Sequence, residues 1–324
     1  MRRPSLAALG LAVAWLVALR AAPLLRTPAF SLGVVRADGV LLPFAHCNNG
    51  KWKNEWPLPP KKVEVPIALT DVPSDWWPDD TPQVSWNLWT FDGDARRIDV
   101  TEPFMTPVYC GALVGLRTSY APAGPPPPLG EQPYPKIGLA TTGDVVVEPI
   151  TVVDDGSDDW RRIEARLAEP FTRAENDAIG REWAFGWGFP VRSDVRAGTP
   201  VTLEAVYRAP HERPGAIAYF FEASRRYDVL RYNQGSPCDL ITFVWGWALA
   251  EPGGELTLKV DAYLTDCWRG GASVMFPLGL LRLDDRVLWV AQWSGWEEEM
   301  YAVVEVPRDL NVKTLFRTQA GRCW

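Results

Sequence analysis

Acids and aromatics are the residues best equipped to do chemistry in this chain. Glu222 follows the apolar run Ala218-Tyr219-Phe220-Phe221 and precedes Arg225-Arg226-Tyr227. A carboxylate at the end of a buried strand beside arginines is either a catalytic acid or half of an Arg–Glu structural pair, and the pair is the commoner arrangement. A glycosidase would also need a second acid at a set separation, which linear spacing does not supply. Trp183, Phe185, Trp187 and Phe189 alternate with Ala184, Gly186 and Gly188. In an extended segment the four rings share one face and the glycines leave the other bare. Such a face stacks on sugar rings or anchors a protein partner, so these four are the candidate ligand-binding strip.

Metal and nucleophile chemistry has less to stand on. Asp154, Asp155, Asp158 and Asp159 surround Gly156, an oxygen-rich stretch of the kind that takes calcium. Its spacing is not that of an EF-hand, and acids at a helix start are accounted for by the helix dipole. The two histidines, His46 and His211, fall in no zinc-binding spacing. The chain has no H-E-x-x-H, C-x-x-C, G-x-S-x-G, P-loop or G-x-G-x-x-G. No cofactor is expected, and an enzyme is not the favoured reading.

The cysteines bear on compartment and architecture. Cys238 and Cys267 are equidistant from the turn residues Glu251-Pro252-Gly253-Gly254. A hairpin closed about Pro252–Gly253 sets these two cysteines opposite each other, close enough to bond. The same register sets Trp245 opposite Val260 and Trp247 opposite Leu258, so that Leu256, Leu258, Val260, Ala262 and Leu264 face only apolar partners. Cys47, Cys110 and Cys323 remain. Cys47–Cys110 is the second expected bridge, with Cys323 as an alternative partner for either.

Arg2 and Arg3 precede the uncharged apolar stretch Leu6 to Leu19, the two opening regions of a secretory signal. Residues 1–29 are therefore expected to be a signal peptide or an N-terminal anchor, and the protein extracytoplasmic, periplasmic or secreted. The net charge is −7, and a leader ending at Ala29 carries Arg2, Arg3, Arg20 and Arg26 but no acid. An acidic protein is a poor partner for nucleic acid or an anionic membrane surface.

The elements that must position these residues are mostly strands. Asp38-Gly39, Asn48-Asn49-Gly50 and Asp92-Gly93 separate short apolar runs, which predicts hairpins within an N-terminal β region over 32–120. Strands are expected there at Gly33–Ala37, Val40–His46, Val63–Leu69, Val84–Phe91 and Tyr109–Thr118. Prolines crowd 121–135, a linker or strap that cannot join a central strand. Region 136–324 reads as β-rich with a helical insertion. There, Trp160, Ile163, Leu167 and Phe171 follow Ser157-Asp158-Asp159 at helical spacing, Pro170 is expected to break or bend the helix, and a second helical piece is expected near Thr172–Trp183. The fold expected is mainly β, with antiparallel sheets packed as a sandwich-like core and one or two accessory helices. The function expected is a non-catalytic binding or structural module of the envelope or extracellular space, with a protein or a glycan as partner. The alternative is a carbohydrate-binding or glycan-processing protein that uses the aromatic strip and Glu222.

Overall fold

A computed structural model describes residues 29–53, 85–121, 134–182, 189–227, 240–266, 272–295 and 298–323. The leader, the Val63–Leu69 strand, Trp183 to Trp187, most of the proline stretch, Cys238 and Cys267 lie outside the described residues. The chain begins with β1 (Phe30–Arg36), β2 (Val40–Asn48), β3 (Lys51–Lys53), β4 (Ser85–Thr90), β5 (Ala95–Val108), β6 (Gly111–Thr118) and β7 (Lys136–Thr141). They form one sheet in the order β1-β7-β4-β5-β6-β2-β3, and because β1 also pairs with β2 the first six close into a ring. Asn49 and Gly50 both have positive φ, the signature of the two-residue hairpin that joins β2 to β3. Trp86, Leu88, Ile98, Leu116 and Ala140 fill the ring. β7 follows the proline stretch yet lies between β1 and β4, so the ring draws on sequence from both sides of that stretch. Tyr134 lies 4.1 Å beneath the Arg36 guanidinium and the Pro135 carbonyl accepts from Ala37 N–H, fastening the end of the stretch.

The remaining elements are β8 (Val147–Glu148), β9 (Thr151–Val152), α1 (Asp158–Glu182), α2 (Ser193–Gly198), β10 (Thr202–Pro210), β11 (Ile217–Tyr227), β12 (Leu240–Ala250), β13 (Leu256–Asp266), β14 (Val274–Leu283), β15 (Arg286–Gly295), β16 (Glu298–Glu305) and β17 (Lys313–Arg322). β13-β12-β11-β10-β9 form a helix-side sheet and β17-β16-β15-β14-β8 a central sheet, both antiparallel. The layers stack as α1, helix-side sheet, central sheet and ring. Three apolar clusters join them: Ile163, Leu167 and Phe171 against Val244 and Ala262; Phe220 and Trp247 against Trp289; Leu288 and Tyr301 against Phe44 and Leu42. The chain is mainly β and sandwich-like, as its alternating patterns require.

Three expectations need correction. First, α1 runs through Pro170 as one helix. Ser157 caps its start, its Oγ accepting from Trp160 N–H at 3.3 Å. A mid-helix proline costs about 3 kcal/mol. Burying Trp160, Ile163 and Leu167 before it and Phe171 and Ala178 after it, each large side chain giving about 1.5–3 kcal/mol, outweighs that cost. Second, the β12–β13 register differs by one residue: Trp245 faces Asp261, Trp247 faces Lys259, and Val260 faces Gly246. The turn has three residues, with Gly254 N–H donating to the Glu251 carbonyl and Gly254 at φ +85°; two- or four-residue loops had set the expected register. That register was the ground for pairing Cys238 with Cys267. Third, Cys110 bonds Cys323, with an S–S distance of 2.08 Å, and replaces the expected Cys47–Cys110 bridge. Cys47 is a free, buried thiol on β2, packed among the residues between ring and central sheet.

Two buried polar clusters accompany the stack. Glu175 on α1 is fully buried and accepts from Arg225 at 2.9 Å, Arg196 at 3.3 Å, Thr242 at 2.7 Å and the Tyr227 hydroxyl. Between ring and central sheet, Lys136 meets Glu299 at 2.6 Å and Tyr301 donates to the same carboxylate. Removing one partner of such a set strands buried charge. Glu175→Leu is expected to lower stability by about 3–5 kcal/mol, read as a shift in the urea midpoint. An unchanged midpoint would contradict the network.

Burial, then its bond to Glu175, raises the Tyr227 phenol; burial, then the Glu299 charge, raises Tyr301; Tyr219 is pushed up to about 12 by burial and then by its bond to Asp159. A raised folded value means stability that is complete below the ordinary value of about 10 and is lost as pH rises through that value toward the folded one. Burial lowers the Lys136 ammonium, partly opposed by Glu299, so this single group acts with the opposite sign and gains stability as pH rises. The urea midpoint is therefore expected to fall between about pH 10 and about pH 11.5, and a flat profile there would contradict this assignment.

Candidate functional site

The register that the Gly254 turn imposes decides what the helix-side sheet shows to the central sheet. Side chains directly across neighbouring strands share a face. One such row is Glu222–Trp245–Asp261 and the next is Phe220–Trp247–Lys259. The central sheet answers with Trp293 beside Met300 and Trp289 beside Val304. The rings meet mostly edge to face: Trp247 on Trp289 at 5.1 Å, Phe220 on Trp247 at 5.1 Å, Phe220 on Trp293 at 5.7 Å and Trp245 on Trp293 at 6.2 Å. Each such contact adds about 0.5–1.5 kcal/mol beyond its buried area. The series begins at Trp289, which is in the core, and ends at the half-buried Trp245 and Trp293.

There the sheets part into a groove of about 620 Å³. Its walls come from the edge strands β13 and β17 and from β12, β15 and β16. The tryptophans 245, 247 and 293 supply aromatic surface, and Asp261, Glu298, Lys259 and Arg317 supply charge. Lys259 donates to Asn311 Oδ1 at 2.5 Å, and Asn311 in turn donates from its backbone to Asp309 at 2.9 Å. Those bonds from Asn311 hold the Asp309 carboxyl below its ordinary value. The volume is that of a small-ligand site. Among the described residues of the lining two acids stand against two bases, a balance that favours a neutral ligand over a phosphate or a strongly charged peptide. Aromatic faces with planar polar side chains around them suit rings that carry C–H bonds on one side and hydroxyls at the edge.

The residues singled out from sequence fall in several places. Glu222 is 3 % exposed and accepts from Met275 N–H at 2.8 Å. Of the two arginines that follow it, Arg225 is an odd number of residues away and projects from the opposite face, to Glu175. Phe189 packs edge-on against Tyr227 under the Arg196 guanidinium, away from the groove; Trp183, Phe185 and Trp187 lie outside the described residues. Asp158 pairs with Arg161 and Asp159 with Arg208, while the Asp154 carbonyl accepts from Ser157 N–H ahead of α1, with Asp155 beside it in the turn. Among the described residues no three His, Cys, Asp or Glu side chains are grouped to hold a metal. His46 Nδ1 meets Ser31 Oγ at 3.0 Å in the interior, and His211 Nε2 meets the Val306 carbonyl at 2.9 Å.

Sequence reasoning missed the groove because it paired both Trp245 and Trp247 with apolar partners; Trp247 is indeed buried in the core, but Trp245 is only half-buried and opens on the groove. The available signal was the polar half of β13: Lys259, Asp261 and Tyr263 alternate with the leucines and point where those do not. No family model, curated protein or solved structure matches the chain. Among the described residues no helix is long and apolar enough to cross a membrane.

Oxidation of exposed indoles reads this arrangement directly. Trp245 and Trp293 are expected to react with N-bromosuccinimide well before Trp86 and Trp289, which are each 1 % exposed. Peptide mapping checks the order, and early loss of Trp289 would contradict the ladder.

Proposed function

We propose that this protein is a non-catalytic glycan-binding module working outside the cytoplasm, and that it takes a neutral saccharide chain in the groove between the helix-side and central sheets. The observation that carries the reading is the pair Trp245 and Trp293, half-buried at the mouth of a charge-balanced groove. Half-buried indoles offer faces for sugar rings without rearranging the core, while Asp261, Glu298, Asn311 and Tyr263 offer planar or hydroxyl partners for ring hydroxyls. Binding is preferred to cleavage because the buried acid paired with Trp245 in the β11–β12 ladder, Glu222, already holds a backbone N–H. The Arg-rich start and apolar run of the leader support export.

A glycan array probed with the protein should return neutral oligosaccharides, with little binding to sulfated or phosphorylated ones. Trp245→Ala and Trp293→Ala should each weaken binding about 30-fold, the ~2 kcal/mol of an aromatic hot spot, while both variants, less stable for the ring contacts they lose, keep a cooperative unfolding transition. No neutral glycan bound, or full affinity in both variants, would overturn the proposal.

A further inference from the structure

We infer that Glu222 is a positioning residue for the groove, setting the spacing of the two sheets where Trp245 meets Trp293; its role in ligand affinity rests on the glycan-binding reading, its role in spacing does not. Glu222 stands directly beside Trp245 across the β11–β12 ladder, on the face turned to the central sheet. Its carboxylate reaches across to that sheet and accepts from Met275 N–H at 2.8 Å. Met275 on β14 is the ladder partner of Trp293 on β15. One side chain therefore adjoins the first groove tryptophan within its own sheet and grips the residue that flanks the second.

The topology explains why this strut falls at the start of β14. Among the described residues, β14 is paired on its outer side only at Leu280 and Leu281, by β8, and not towards Met275. A buried backbone N–H must find an acceptor, and the Glu222 carboxyl oxygen from the facing sheet provides one. Aromatic edge-to-face contact depends on the separation of the two sheets, and Trp245 and Trp293 lie 6.2 Å apart at 72°. Trp293 also meets Phe220 at 5.7 Å, edge to face. Deeper in the stack, Phe220, Trp247 and Trp289 are locked by mutual packing.

The test separates positioning from mere support of the core. Neighbouring indoles produce a couplet in the circular dichroism spectrum, isolated here as the wild-type spectrum minus that of Trp245→Phe. This readout needs no ligand. Glu222→Leu, of similar volume but without an acceptor, should lose the couplet while keeping the far-ultraviolet spectrum and a cooperative thermal transition. Glu222→Gln retains an acceptor oxygen and should keep the couplet. With cellohexaose as probe, Glu222→Leu should bind about tenfold more weakly and Glu222→Gln within about twofold of wild type, the difference one hydrogen bond makes. A couplet intact in Glu222→Leu, or lost equally in Glu222→Gln, would overturn the inference. Should Glu222→Leu not fold, Glu222→Asp decides, since a carboxylate withdrawn by one methylene must alter the couplet if it sets the spacing and leave it alone if it does not. Absence of cellohexaose binding by the wild type, with the couplet responding as described, would count against the glycan reading while leaving the positioning role standing.

Discussion

The three-residue turn Pro252-Gly253-Gly254 sets the register of β12 against β13, and the site follows from it. In strands every second residue shares a face, so a slip of one residue turns a whole strand over relative to its neighbour. With Gly254 in a left-handed conformation, the polar half of β13 falls beside Trp245 and Trp247, while Leu256, Ala262 and Leu264 lie under α1. The alternative register would bring the leucines beside the tryptophans and send Lys259 and Asp261 under the helix. Such a stack would bury charge against Ile163 and Leu167 and leave no polar groove. Gly246 shows how closely the actual register is fitted: a Cβ there would come within 2.4 Å of Phe221 and 2.8 Å of the Lys259 carbonyl.

Both inner sheets are covered on two faces, and this accounts for the chain's wealth of large side chains. The helix-side sheet packs on α1 and on the central sheet, and the central sheet packs on the ring as well. Polar groups that fall within these layers must be satisfied there. Glu175 gathers two arginines, a tyrosine and a threonine, and Glu299 gathers Lys136 and Tyr301. Pairs of this kind contribute little net stability over apolar residues of the same shape, yet losing one member is costly. They admit few alternative packings of α1 or the ring, which keeps the layers in one arrangement. Glu222 belongs with them in burial but differs in place, since it lies next to the groove.

Much of the architecture was legible in the sequence because local rules govern it. Asn49-Gly50 marked a hairpin through positive φ, and Ser157 marked a helix start through its side-chain oxygen. The Trp160–Phe171 spacing marked the buried face of α1. What was not legible depended on contacts distant in sequence. Pro170 breaks a helix only where no core is on hand to hold it together, and β12 and β13 provide one. The hydrophobic pattern chose the wrong register because β12 is apolar on both faces: Trp245, Trp247 and Leu249 face one layer, Val244, Ala248 and Ala250 the other. Alternation carries no information in a strand buried on both sides. Cys110 pairs with a residue 213 positions away, a closure that the ring and β17 create together. The groove was hidden for the same reason. Its tryptophans look like core residues until the edge of the stack is known.

The register is the claim on which the groove stands, and a pair of engineered cysteines tests it most directly. Ala248 faces Leu258 in the structure, and a slip of one residue would set it opposite Thr257 instead. The double variant Ala248→Cys with Leu258→Cys is expected to yield a cross-linked peptide on oxidation, identified by mapping without reduction, while Ala248→Cys with Thr257→Cys is expected to yield none. The reverse outcome would place Lys259 and Asp261 away from the tryptophans and contradict the account.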